Sequence, residues 1–170
     1  DMHVARDGLV IRFSVPLDPA SATDPGNYSL EQWNYRWTEN YGSPDYKLDG
    51  QKGRDRVTVE SVWLAADRRT VFLRIPDIRP VMQMHVQFNL RAADGAAIRT
   101  FLHQSIHAVG PRDGASWLGP DPIQAPPAAQ LKLAREATGL VQSLNLLDKT
   151  GPNEGDTRVA RLLALHVPEG

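Results

Sequence analysis

Short runs of alternating apolar residues, cut by turn signals at roughly 8–12-residue intervals, fill the first two-thirds of this chain and restrict it to few folds. In Gly8–Leu17, the residues Leu9, Ile11, Phe13 and Val15 alternate with Val10, Arg12 and Ser14. That period of two predicts a strand, which Pro16 ends. Asp18–Asn27 carries Asp-Pro twice and then Gly-Asn, which is turn chemistry with a short helical turn predicted at residues 19–22. Tyr28-Ser29-Leu30 opens a second strand. Val57–Leu64 reads as a third, Ala66–Arg69 as a hairpin-type turn, and Thr70–Ile75 as the returning strand with Val71, Leu73 and Ile75 on one face. Met82–Leu90 and Ile98–Ile106 flank the strong turn signal Ala93-Asp94-Gly95. No helix-period run of useful length interrupts these segments. The predicted class is all-β, an antiparallel sandwich.

After residue 109 the composition changes. Residues 110–127 hold Pro111, Pro120, Pro122, Pro126 and Pro127 among glycines, as in a linker or an irregular packed crossing. Residues 128–137 suit a short helix, and 140–147 and 159–167 read as two further strands. The predicted organisation is a sandwich over 1–109, a Pro/Gly-rich connector over 110–127, and a segment 128–170 that completes the sandwich or starts the next domain. The ends, Asp1 without an initiator Met and Gly170 just after a strand-like run, read as excised from a larger protein.

Composition narrows the function classes. Hydrophobic residues make up 41% and charged residues 23% of 170 residues, which suits a globular domain burying roughly 70% of its unfolded surface. The net charge is −1, from 19 basic and 20 acidic residues. No basic stripe is present to hold phosphates, so nucleic acid is not an expected partner. The absence of cysteine excludes disulfides, thiol nucleophiles, thiolate zinc sites and covalent haem attachment within these residues. No apolar run approaches the ~18 residues of a membrane span.

The aromatic residues concentrate in one segment. Trp33, Tyr35, Trp37, Tyr41 and Tyr46 include two of the four tryptophans and three of the four tyrosines. Trp33, Tyr35 and Trp37 alternate with polar residues, so in a strand they share one face. Such rings dock into a core, anchor a neighbouring domain, or stack on a sugar face. Trp63 reads as core or as a partner of this ladder. The glycine-rich stretch 42–56 that follows reads as a long exposed loop.

Other chemistry-bearing residues are scattered. Met82, Met84 and His85 form an M-x-M-H cluster whose thioether and imidazole groups suit copper. In a strand, however, Met82 and Met84 face one way and His85 the other, and alternate methionines usually fill a core. His103 and His107 share a strand face but lie about 13 Å apart, too far to share a metal. His166 in its apolar strand reads as structural. Asp45, Asp49 and Asp55 do not match the calcium-loop spacing. Asp121, Asp148, Glu154 and Asp156 follow no metal or acid–base pattern. There is no nucleophile elbow, phosphate loop or dinucleotide fingerprint. No catalytic residue and no cofactor are predicted.

Three motifs carry a resemblance. They are the F-x-x-P-L-D-P-A-S-A-x-D-P-x-N-Y run from Phe13 to Tyr28, the V-x-S-V-x-L-x-x-D-x-x-T-V-x-L run from Val59 to Leu73, and the A-A-D-G turn from Ala92 to Gly95. Together they resemble bacterial Ig-like modules of the surface-layer type. The Trp33–Tyr46 segment and the Pro80–Met84 run add similarity to a module found inside very large secreted bacterial proteins, beside haem c domains, sugar-dehydrogenase-like propellers and protective-antigen-type sugar-binding sandwiches. The ending Asp156–Pro168 looks like the lead-in to the following domain there. The resemblance implies an Ig-like sandwich, an extracytoplasmic location, and neighbouring domains of the same polypeptide as partners. It transfers no catalytic residue, because the haem motif and the propeller lie outside these residues. The leading expectation is a non-catalytic accessory module. The alternatives are a carbohydrate-binding module using Trp33, Tyr35, Trp37, Tyr41 and Tyr46, with polysaccharide as partner, and a copper-binding sandwich using Met82 or Met84 beside a histidine from another strand.

Overall fold

The computed structural model describes residues 1–39 and 42–124. Tyr41 and everything from residue 125 onward, including the predicted helix, the two late strands and His166, lie outside the described residues. Two antiparallel sheets pack face to face. One has the strand order β1-β2-β6-β5-β9 and the other β4-β3-β7-β8. The strands are β1 (Met2–Ala5), β2 (Gly8–Arg12), β3 (Tyr28–Trp33), β4 (Asp55–Val57), β5 (Ser61–Leu64), β6 (Thr70–Arg74), β7 (Val81–Arg91), β8 (Ala97–Ile106) and β9 (Ile123–Gln124). The described helix is α1, Pro19–Ala22. The predicted all-β antiparallel sandwich is the fold of these residues.

Alternation builds the core. Leu9 and Ile11, Val62 and Leu64, and Val71 and Leu73 point inward from the five-stranded sheet. Tyr28 and Leu30 of β3 meet them, with Met84, Val86, Phe88 and Leu90 of β7. Each such side chain contributes roughly 1.5–3 kcal/mol when fully buried. The turn between β2 and β3 is tied by its own side chains. Asp18 caps α1 by accepting from the Ser21 amide at 2.9 Å, and Asp24 accepts from the Gly26 amide at 2.9 Å. The Tyr28 hydroxyl donates to the Ala22 carbonyl at 2.6 Å. Burial pushes the Tyr28 phenol well above its ordinary pKa, so it stays a donor.

Three predicted strands are divided or shortened. The run 57–64 is not one strand. Its first part belongs to β4 in the four-stranded sheet and its second to β5 in the five-stranded sheet. The inward positions change phase at the crossing, from Val57 and Val59 to Val62 and Leu64, so the run is two alternating pieces and reading it as a single strand passed over the break. The run 8–17 keeps strand geometry only to Arg12, and Leu17 then bridges Ala92 in the other sheet's neighbourhood. The strand opening at Tyr28 stops at Trp33 and does not carry the aromatic ladder. Two strands were not predicted: β1, which pairs with β2, and β9, which pairs with β5.

Residues 110–118 lie on the outer face of the five-stranded sheet. Val10, Ala65, Phe72 and Leu118 form a second apolar cluster there with Ala5. The Gly114 amide donates to Asp7 Oδ1 at 2.8 Å. A Cβ at Gly114 would sit 1.9 Å from Phe72 Cε2, so only glycine allows this approach. Arg6 Nε donates to Asp113 Oδ1 at 2.9 Å, and the His3 ring stacks on Trp117 at 4.4 Å. Trp63 stacks on Phe72 at 5.5 Å. It therefore belongs to this covered face and is not a partner of the ladder. Among the described residues no helix is long and apolar enough to cross a membrane.

Candidate functional site

The aromatic segment does not present a common face. Trp33 is the last residue of β3 and is 3% exposed. The Arg54 guanidinium covers its ring at 3.9 Å, and His103 meets it edge-on at 5.8 Å. Its indole Nε1 is buried without a hydrogen-bond partner in the described structure. Arg54 is held over the ring by Asp45 at 2.7 Å and Glu31 at 3.4 Å. These carboxylates, Asp45 first, push its pKa above the ordinary arginine value.

Beyond β3 the chain leaves the sheet. Asn34 and Tyr46 exchange backbone hydrogen bonds at 2.7 and 2.9 Å, and Asn34 Oδ1 accepts from the Met82 amide at 2.9 Å. Tyr46 is half-buried beneath the Arg36 guanidinium at 4.2 Å. Tyr35 is 39% exposed and Trp37 97% exposed. The predicted shared strand face of Trp33, Tyr35 and Trp37 is thus corrected: Trp33 is roofed, and the other two rings stand on an arm outside the sheet. Tyr41 lies outside the described residues. Tyr35 and Trp37 line one open depression with Thr38, Glu39, Ser43 and Met82. Tyr35 and Met82 also line a second, with Asn34, Pro80 and His107.

The stretch 42–56 is more ordered than a loop reading implies. Tyr46 bridges Lys52, and Gly50 and Gly53 adopt positive φ. Its carboxylates serve the local backbone and Arg54. Asp49 accepts from the Gln51 amide at 2.9 Å and Asp55 from the Leu48 amide at 2.8 Å.

The M-x-M-H cluster is taken apart by an irregularity in β7. The pairing register of β7 with β8 shifts between Val81 and Met84. Met82 is then 42% exposed, while Met84 is 1% exposed in the core. The reading that both methionines face one way is corrected by this bulge, which adds a residue and reverses the side-chain alternation. Met82 Sδ instead accepts from the Tyr35 amide at 3.1 Å.

A second group was not assembled by sequence reasoning. On the outer face of the four-stranded sheet, Glu31 of β3 lies opposite His85 of β7, and His85 lies opposite His103 of β8. The two imidazole centroids are 4.8 Å apart. Phe101, 63% exposed, stands edge-on to His85 at 5.3 Å. Desolvation, then the neighbouring His103, hold the His85 pKa below the ordinary histidine value, with Arg54 adding to the shift and Glu31 opposing it. The signal lay in the turn. Folding the two predicted strands about Ala93–Gly95 places His85 against His103, whereas His103 was weighed only against His107. Among the described residues, no three His, Cys, Asp or Glu side chains gather into a metal cage.

Comparison with protein-family models, with curated proteins and with solved structures finds no match to this chain.

Proposed function

We propose that this chain is a non-catalytic accessory module of a larger exported bacterial protein, of the Ig-like type that its motifs resemble. It positions neighbouring domains through the arm that carries Tyr35 and Trp37. One observation carries the reading. Trp37 is 97% exposed, whereas Trp33 and Tyr46 of the same segment are each covered by a guanidinium. A bare indole on a protruding arm serves best as an anchor that another surface buries. Acrylamide quenching of Trp37 emission, in the isolated chain and in the parent protein, tests it. Strong quenching in the chain that is lost in the parent is expected. Equal quenching in both overturns domain docking.

A second reading is a carbohydrate-binding module. It is favoured by the way Tyr35 and Trp37 share one open depression with Thr38, Glu39 and Ser43, which pairs ring faces with polar groups suited to sugar hydroxyls. Titration of tryptophan emission with plant, algal and bacterial polysaccharides separates the two. A saturable shift that disappears in Trp37→Ala selects the sugar reading. No shift leaves domain docking.

A further inference from the structure

We propose that His85 and His103 form a two-imidazole binding site for a divalent transition metal of the zinc or copper class, on the outer face of β7 and β8. This site is separate from the Tyr35–Trp37 arm, and of the M-x-M-H cluster it uses His85 without either methionine. Three observations support it.

First, the spacing suits a chelate. Two imidazoles bound to one metal at about 2.1 Å per nitrogen, with an angle near 90–110°, hold their ring centroids roughly 4.5–5.3 Å apart. The observed separation is 4.8 Å, with the rings inclined at 62°. Second, the pair is rigidly mounted and open. The residues sit opposite each other in regular antiparallel register, on the two longest strands of the sheet. His103 is exposed and His85 half-buried, so little reorganisation is needed before a metal enters. Phe101 and Trp33 flank the imidazoles edge-on and limit their swing.

Third, the local charge permits a cation. The positive group that acts on His85, Arg54, is offset by Asp45 at 2.7 Å and Glu31 at 3.4 Å. Glu31 also lies opposite His85 on the third strand of the same row. Since no third ligand is already in place among the described residues, water completes the coordination. Imidazole is a good ligand for zinc, copper and nickel and a poor one for magnesium or calcium.

The test is a zinc chloride titration of the chain near neutral pH, followed by the histidine ring resonances in NMR spectra. The expected result is one zinc per chain, with the His85 and His103 rings responding together. His85→Gln and His103→Gln each weaken binding by about tenfold or more, because the second imidazole acts at high effective concentration once the first is bound. His107→Gln leaves it unchanged. The amide spectrum of each variant reports its fold in the same experiment. Full affinity in His103→Gln, responses spread evenly over His3, His85, His103 and His107, or no saturation by about 1 mM zinc overturns the proposal.

Discussion

Residues 110–118 and residues 33–46 make an instructive pair. The first stretch is rich in glycine and proline and has the composition of a linker, yet it packs. Gly114 lies against Phe72, Leu118 is buried, and Trp117 stacks on His3. The second has the alternating aromatics of a buried strand, yet only Trp33 stays in the sheet and Trp37 stands in solvent. What separates them is the surface each one meets. The outward side chains of β2, β5 and β6 are Val10, Trp63 and Phe72, an apolar floor that must be covered. Among the described residues beyond Trp33, Tyr35 and Trp37 stay exposed, while Arg36 covers the Tyr46 ring and Arg54 covers Trp33.

The largest expected effect tests that floor. Phe72→Ala removes it and should lower the unfolding free energy by about 3–5 kcal/mol in urea titrations. Gly114→Ala keeps the floor but forces the covering segment away from the Phe72 ring, at a cost of about 1–3 kcal/mol. A near-neutral result would show that 110–118 is not held against the sheet. Tyr28→Phe, remote from both regions, strips the Ala22 carbonyl of its donor and should cost about 1–2 kcal/mol. It calibrates the first two changes.

On the exposed side, Trp37→Ala should alter stability by no more than about 0.5 kcal/mol, while removing the component of tryptophan emission most accessible to acrylamide. A larger loss would mean that the arm packs against the sandwich. Asp67 gives the smallest effect. Its partial burial acts to raise its pKa, but the Arg69 and Thr70 amides and the Arg12 guanidinium outweigh this and leave it lowered. The folded state then favours the ionised form, so the contribution is full above the unfolded value near 3.8 and is lost as pH falls through the folded value. Asp67→Asn should flatten the stability–pH curve only in that acid window.

Much of the sandwich was legible because burial on one face imposes a period of two. The hairpins β5–β6 and β7–β8 stood out from Ala66–Arg69 and Ala93–Gly95, and the helical turn at Pro19 from the two Asp-Pro pairs and the Gly-Asn behind them. What escaped had a common cause. The change of sheet between Val57 and Ser61 and the bulge after Val81 each shift the alternation by one position within a run that stays apolar, and the alternating aromatics run on past the end of β3 at Trp33. They depend on partners distant in sequence. β9 is too short to carry a pattern. The His85–His103 pair required a register, not a motif.

The most direct measurement is 19F NMR of the chain labelled with 5-fluorotryptophan, comparing shifts in H2O and D2O. The account predicts the full solvent isotope shift for Trp37 and almost none for Trp33, two rings four positions apart that simple alternation would treat alike. Equal shifts for the two would contradict it and restore a continuous aromatic face.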